Sequence, residues 1–302
     1  MTKEISVIGA GAWGSALAYV ISGNSKVLLY KRDCVESSDH RINYTNNIED
    51  ALDNQNILIV VPAQKVRDII GTFDRKIENR NIIICSKGIE NHTQKFMSEV
   101  ISEIIPNNNI FVLSGPNFAK DVINDLPSAS LLAGNNIDSA NHLARLLSSD
   151  NFSIYPSDDI IGTQICGAVK NIIAIACGVS VGLRLGDNIK AAIISFGILE
   201  MQSIIHVYGG REETLNSIAG IGDLTLTCNS SQSRNLQYGI DSVVNRKYDN
   251  NATIEGIYSS ISINNIMKKH SLNLPICKFV YDYLSNKIDS SDIRFIIKNN
   301  IS

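Results

Sequence analysis

The order of the first twenty residues constrains this chain more than any other feature. Residues 5–8 form a short, mostly apolar run, Gly9-Ala10-Gly11-Ala12-Trp13-Gly14 follows at once, and a helix-compatible stretch starts inside that motif and continues to residue 21. A G-x-G-x-x-G pattern alone is a weak signal, but between a strand and a helix it has a physical meaning. Gly9 permits the tight turn, Gly11 lets the backbone approach a diphosphate, and Gly14 lets helix and strand lie close together. The N–H groups at the helix start, those of Ala12 and Trp13 among them, then face an anion. The expectation is a dinucleotide site built from Gly9, Gly11, Ala12, Trp13 and Gly14. The plain alternative is a glycine-rich turn without a ligand.

The alternation continues. Short runs rich in Ile and Val occur at 26–30, 57–61, 82–85 and 110–113, with helix-compatible stretches at 63–70, 93–104 and 139–147. Apolar runs of four or five residues between helices are the pattern of buried parallel strands in βαβ units. Two further β-like runs, 128–133 and 152–155, complete the expected sheet. Beyond residue 156 the strand-like runs stop and helical segments follow at 162–181, 188–208, 233–244, 253–269 and 275–284. The expected fold class is therefore α/β: an N-terminal Rossmann-type, mostly parallel sheet over residues 1–156, then an all-α domain over 157–302. A length of 302 residues agrees with two domains.

The second strand ends in Tyr30-Lys31-Arg32-Asp33. An acidic residue directly at that end favours the free 2′-hydroxyl of NAD. Two cations in first place suit the 2′-phosphate of NADP. Lys31 and Arg32 are thus expected at the cofactor ribose and NADPH is favoured, with NADH left open by Asp33. Both cations could equally be solvated surface charges.

With 27 basic and 30 acidic side chains the net charge is −3. That balance gives no long-range attraction to nucleic acid or to an anionic membrane. The six cysteines are scattered without a C-x-x-C pair, so reduced thiols and no metal are expected. The first apolar run is too short for a secretory signal. The longest weakly polar stretch, 172–183, is well short of the roughly 20 residues of a membrane span. It reads as a core helix, and a cytoplasmic protein is expected.

Further motifs follow in order: Cys85-Ser86-Lys87-Gly88-Ile89, Leu113-Ser114-Gly115-Pro116-Asn117-Phe118-Ala119-Lys120-Asp121, Gly167-Ala168-Val169-Lys170-Asn171, Gly186-Asp187-Asn188-Ile189-Lys190, Gly220-Ile221-Gly222-Asp223-Leu224, Thr227-Cys228, Ser233-Arg234-Asn235 and Ile254-Glu255-Gly256. From Ile5 to about Pro275 this series closely resembles the bacterial NAD(P)-dependent glycerol-3-phosphate dehydrogenase family. The resemblance implies interconversion of dihydroxyacetone phosphate and sn-glycerol 3-phosphate by hydride transfer with NAD(P)H, in supply of glycerophospholipid synthesis.

Chemistry at the matched positions agrees. Hydride reduction of a ketone leaves negative charge on the carbonyl oxygen, and a lysine can both donate a proton and supply positive charge there. Lys170 lies in an otherwise apolar, small-residue segment, where an unpaired ammonium is expensive to bury. Its alternative is a lysine snorkelling on a solvated helix face. The resemblance implies that Lys170 is the catalytic acid–base, with Asp223 holding its ammonium. Lys87 is implied between cofactor and substrate oxygens, its charge helping to depress the pKa of Lys170.

Gly115 and Asn117 are expected at the substrate. The family pattern has Ser or Thr where this chain has Asn117, which weakens that assignment. Ser233, Arg234 and Asn235 offer a hydroxyl, a guanidinium and an amide at a helix start, a set suited to the substrate phosphate. An N-cap serine beside solvated residues is the alternative. Ala119, Arg234, Thr253 and Glu255 are implied at the cofactor, and Lys190 in the charge balance of the site. Phe196 replaces a family arginine, a change expected to touch helix-surface or subunit contacts. A homodimer is the expected assembly. The competing expectations are a related dehydrogenase of another hydroxy acid or sugar acid, and a non-catalytic NAD(P) sensor. Ser233-Arg234-Asn235 opposes the first, and retention of Lys87, Lys170 and Asp223 opposes the second.

Overall fold

The computed structural model describes residues 4–33, 41–73, 76–244 and 253–295. These residues group into two compact units. One holds the chain up to Ser86 together with Lys95–Ile160, and the other holds Lys87–Gln94 together with the chain from Ile161 onward. A single cut near residue 156 therefore leaves out one feature: eight residues between the fifth strand and the following helix belong to the second unit.

The first unit contains β1 (Glu4–Ile8), α1 (Ala12–Ile21), β2 (Lys26–Tyr30), β3 (Ile42–Thr45), α2 (Ile48–Leu52), β4 (Asn56–Ile59), α3 (Val66–Ile70), β5 (Asn81–Ile84), α4 (Met97–Ile104), β6 (Asn109–Ser114), α5 (Ala119–Ile123), β7 (Ser128–Gly134), α6 (Ile137–Leu147) and β8 (Phe152–Ser157). The eight strands form one sheet in the order β3-β2-β1-β4-β5-β6-β7-β8. All neighbours are parallel except β6 and β7, which run antiparallel. The order reverses at β1, so the carboxyl end of β1 is a topological switch point, where sheets of this kind bind ligands. β4 is buried at every position and β5 at three of four, as strands covered on both faces must be. At the opposite end of these strands, Asn56, Asn81 and Asn109 share a register and hydrogen-bond side chain to side chain at 2.8 and 3.1 Å.

The sheet differs from the sequence expectation in three places. β3 is an additional edge strand, and its mixed sequence Ile-Asn-Tyr-Thr with one exposed position lacks an apolar run. The helix expected to start at residue 93 starts at Met97, because Gln94 takes a left-handed φ of 57° and its N–H bonds back to Glu90 O at 2.9 Å. α2 and α5, at five residues each, are too short for a helical period to show.

The second unit contains α7 (Ile160–Gly182), α8 (Asp187–Tyr208), α9 (Asp223–Asn229), α10 (Arg234–Val243), α11 (Glu255–His270) and α12 (Pro275–Leu284), with shorter helical turns at Glu212–Asn216, Ile218–Gly222 and Ser290–Asp292. Residues 162–180 of α7 are buried without interruption. A helix apolar on all sides is a central helix, and the others pack around it. α10 crosses it very closely. A Cβ on Gly178 would lie 2.2 Å from Leu236 O, and one on Gly239 would lie 2.3 Å from Ile175 O. By length and composition α7 and α8 are both long and apolar enough to cross a membrane, with mean hydropathies of 1.8 and 1.4. All but the last residue of the apolar stretch 172–183 lies in this 23-residue helix α7, which extends the expected segment 162–181 by three residues. Inside the fold, 89% of the α7 window is buried against 33% of the α8 window.

Candidate active site

Two groups of residues carry chemistry, one in each unit. In the first unit, Gly9 has φ +120°, and a Cβ there would lie 2.3 Å from Val60 O. A Cβ on Gly14 would lie 1.8 Å from Gly9 O. Both glycines are therefore required by the fold. Gly11 differs, because no protein atom lies within 4 Å of its Cβ position. It is also the N-cap of α1, without a side-chain cap and with no acidic residue in the first turn. The opening N–H groups of α1, on Ala12, Trp13 and Gly14, have no partner within the helix. An exposed glycine backbone beside open N–H groups is a cradle that a side chain would fill, and it fits a pyrophosphate.

The Trp13 indole packs edge-on against Phe152 with centroids 6.5 Å apart, so its contribution to an anion comes from the backbone. Lys31 and Arg32 directly follow β2, half-buried and exposed respectively. Ala119 packs partly against the apolar core.

Gly115 is buried at the end of β6, and a Cβ there would lie 2.8 Å from Ser130 Cα. The close approach of β7 accounts for this glycine without a ligand. Asn117 donates from Nδ2 to Ala129 O at 3.0 Å and to Ser130 Oγ at 2.7 Å. Its Oδ1 is buried with no hydrogen-bond partner. Both amide hydrogens thus face β7, which leaves Asn117 an acceptor rather than the donor that a hydroxyl would be.

In the second unit, Lys170 projects from buried α7 and donates to Asp223 Oδ1. Lys87 Nζ pairs with the other carboxylate oxygen, Oδ2, at 2.6 Å. Asp223 opens α9 with a side chain only 2% exposed, against 8% for Lys170 and 22% for Lys87. Two ammonium groups on one carboxylate leave a net positive charge in a dry setting, where charge acts strongly. Burial pulls the pKa of Lys170 down to about 8, with Asp223 opposing and Lys87 adding to the shift. A lysine with that pKa can give or take a proton near neutral pH.

Thr227, one turn beyond Asp223, completes the cluster. Its hydroxyl donates to Asp223 O at 2.6 Å and accepts from Lys170 Nζ at 2.8 Å. Thr227 stands in a sequence motif without an expected role, and its i, i+4 spacing from Asp223 is the signal that points to it.

Ser233 caps α10, its Oγ accepting the Leu236 N–H at 3.3 Å. Asn235 donates to Asn171 Oδ1 at 2.9 Å and accepts the Gly256 N–H at 3.0 Å. It ties α10 to the start of α11 and to the residue beside Lys170. Arg234 is exposed at the first position of α10. Thr253 and Glu255 are half-buried, with Glu255 in the first turn of α11, where a carboxylate favours the helix dipole. Lys190 pairs with Asp187 at 3.3 Å and Phe196 is half-buried on α8. No group of metal-ligating side chains is found among the described residues.

Residues 4–140 match the family described as NAD-dependent glycerol-3-phosphate dehydrogenase N-terminus, and residues 159–294 match its C-terminus. The chain belongs to the NAD-dependent glycerol-3-phosphate dehydrogenase family. Among relatives, glycerol-3-phosphate dehydrogenase [NAD(P)+] of Ehrlichia chaffeensis is 36% identical, covering 94% of this chain and 97% of its own. The enzyme of the same name from Zymomonas mobilis is also 36% identical, covering 94% of this chain and 89% of its own. The crystal structure of glycerol-3-phosphate dehydrogenase from Coxiella burnetii superposes with a TM-score of 0.89 at 30% identity, covering 100% of this chain and 99% of that one. Membership makes the chain an NAD(P)-dependent oxidoreductase.

Proposed function

We propose that this chain interconverts dihydroxyacetone phosphate and sn-glycerol 3-phosphate, with NADPH preferred over NADH. The observation that carries the reading is the pairing of Lys170 and Lys87 with the single buried carboxylate of Asp223. When bound, the nicotinamide gives or takes the hydride. Lys170 passes its proton to the ketone oxygen as charge develops there. Asp223 and Thr227 hold the Lys170 ammonium in place, and Lys87 supplies a second positive charge to the oxyanion. Deprotonated Lys170 takes the hydroxyl proton in the reverse direction.

Ser233, Arg234 and Asn235 serve the substrate phosphate: Ser233 through its remaining O–H, Asn235 through its second N–H, Arg234 through its exposed guanidinium. Gly115 and Asn117 are assigned to substrate, and Ala119, Thr253 and Glu255 with Lys31 and Arg32 to cofactor, on the family pattern. The product is a glycerophospholipid backbone, which places the enzyme ahead of acylation. Leu199 and Val207, exposed on α8, suit the expected homodimer.

The test is the disappearance of NADPH absorbance on adding dihydroxyacetone phosphate, with NADH and with 2-oxo acids in parallel. Turnover with the triose phosphate and not with 2-oxo acids supports the reading. The opposite pattern, or cofactor binding without turnover, refutes it.

A further inference from the structure

Lys87 reaches Asp223 from a short segment, Lys87–Gln94, that packs with the second unit although β5 before it and α4 after it belong to the first. The segment closes on itself. Gln94 N bonds to Glu90 O at 2.9 Å, Gln94 Nε2 donates to Asn91 O at 2.8 Å, and the Thr93 hydroxyl bonds to the Glu90 carboxylate. Ile89 within it is fully buried. It is joined to α11 by Ser262, which is 0% exposed. The Ser262 hydroxyl lies 2.7 Å from Asn91 Oδ1 and 3.4 Å from Ile89 O. One hydrogen serves both, so the shorter bond to Asn91 is the principal one.

We propose that Ser262 is a positioning residue for the reaction: through Asn91 it fixes the Lys87–Gln94 segment on α11 and so delivers the Lys87 ammonium to Asp223. The inference rests on the proposed function for its catalytic meaning, though not for its geometry. A lysine has four flexible side-chain bonds, and ordering them opposes a fixed ion pair. Tethering the segment at Asn91 fixes the backbone that carries Lys87, so that only the side chain is left to order.

Loosening the segment withdraws a like charge from Lys170, whose pKa then rises. Among the described residues, the other titratable groups facing Lys170 are Asp223 and the Cys228 thiol, both on α9. The Cys177 contact and burial hold that thiol well above its ordinary pKa, so it stays neutral. No opposing change masks the effect.

The test compares Ser262→Ala, Asn91→Ala and the double variant with wild type. Two readouts are used: the Lys170 titration, followed by NMR of ¹³C-labelled lysine in the free protein and assigned with Lys170→Arg, and KM and kcat for dihydroxyacetone phosphate. Alanine is a better helix former than serine, so Ser262→Ala keeps its fold. Should it unfold, half-buried Asn91 supplies the second route. The expected result is an upward shift of the Lys170 titration by roughly half a unit or more and a KM raised roughly tenfold, with the double variant no worse than either single one. An unchanged Lys170 titration and unchanged KM in both single variants overturns the proposal. A shifted titration in a protein that fails to turn over the triose phosphate supports the tether and refutes the function instead, because the titration needs no substrate.

Discussion

Thr227 accepts a hydrogen bond from Lys170 at 2.8 Å while its own hydrogen points to the backbone carbonyl of Asp223. The hydroxyl has one proton and it is committed, so toward the lysine Thr227 can only accept. Lys170 is thereby held by two acceptors from one helical turn, and its remaining N–H is the one that the proposed mechanism directs to the substrate oxygen. In Thr227→Val one acceptor is lost with little change of shape. A hydrogen bond to a charged group contributes about 1.5–3 kcal/mol, so kcat falls roughly ten- to a hundredfold. KM for the cofactor stays level, as steady-state kinetics in both substrates will show.

The direction of the reaction sets the sign of its pH dependence. On the proposed role of Lys170, reduction needs its ammonium and oxidation the free amine. With the pKa lowered from 10.5 to about 8, kcat/KM for reduction falls as pH rises through about 8. That for alcohol oxidation rises through the same window. Profiles measured from pH 6 to 10 in the two directions check this, and parallel profiles would contradict it.

The three glycines of the loop separate fold from ligand. Gly14→Ala puts a Cβ 1.8 Å from the Gly9 carbonyl, an overpacking that costs about 1–3 kcal/mol or more and lowers the thermal midpoint. Gly11→Ala meets no protein atom within 4 Å, so its midpoint without cofactor matches wild type. Its affinity for NADPH, measured by fluorescence titration, falls roughly tenfold or more because the methyl occupies the approach of the diphosphate.

Glu200 of α8 is 4% exposed and accepts the backbone N–H groups of Ile276 and Cys277 at 2.5 and 3.0 Å, capping α12 from a distant part of the chain. Burial raises its pKa from 4.5 to about 7. Between those two values the folded protein binds one more proton than the unfolded chain, so stability falls as pH rises from 4.5 to 7. The shift corresponds to about 3 kcal/mol at most. Glu200→Gln keeps an acceptor for α12 without the charge. Its thermal midpoint at pH 8 is expected at or above that of wild type, and its midpoint changes less between pH 5 and 7.

Much of this was legible in the sequence because the physics was local. The strands β1, β2, β4, β5 and β6 announce themselves as Ile- and Val-rich runs, and α12 begins at Pro275 where proline is tolerated. What escaped depends on neighbours. The antiparallel pairing of β7 with β6 is a long-range choice of neighbour that the residues 128–133 do not report. Lys87–Gln94 groups with the second unit, where Asn91 bonds to Ser262, some 170 residues later. In the site, Lys170, Asp223 and Lys87 come together as expected, whereas Asn235 and Ser233 are already engaged in capping and inter-helix bonds. Spacing identifies a polar side chain, but only its partners show how many donors remain.

The central claim is that the Lys170 ammonium is the proton donor, and Lys170→Ala tests it most directly. NADPH affinity and steady-state reduction of dihydroxyacetone phosphate are measured on the same preparation. The expected result is unchanged cofactor affinity with kcat lowered roughly a hundred- to ten-thousandfold. A variant that binds NADPH normally and keeps a kcat within about threefold of wild type would contradict the assignment, since a group in the transition state cannot be removed so cheaply.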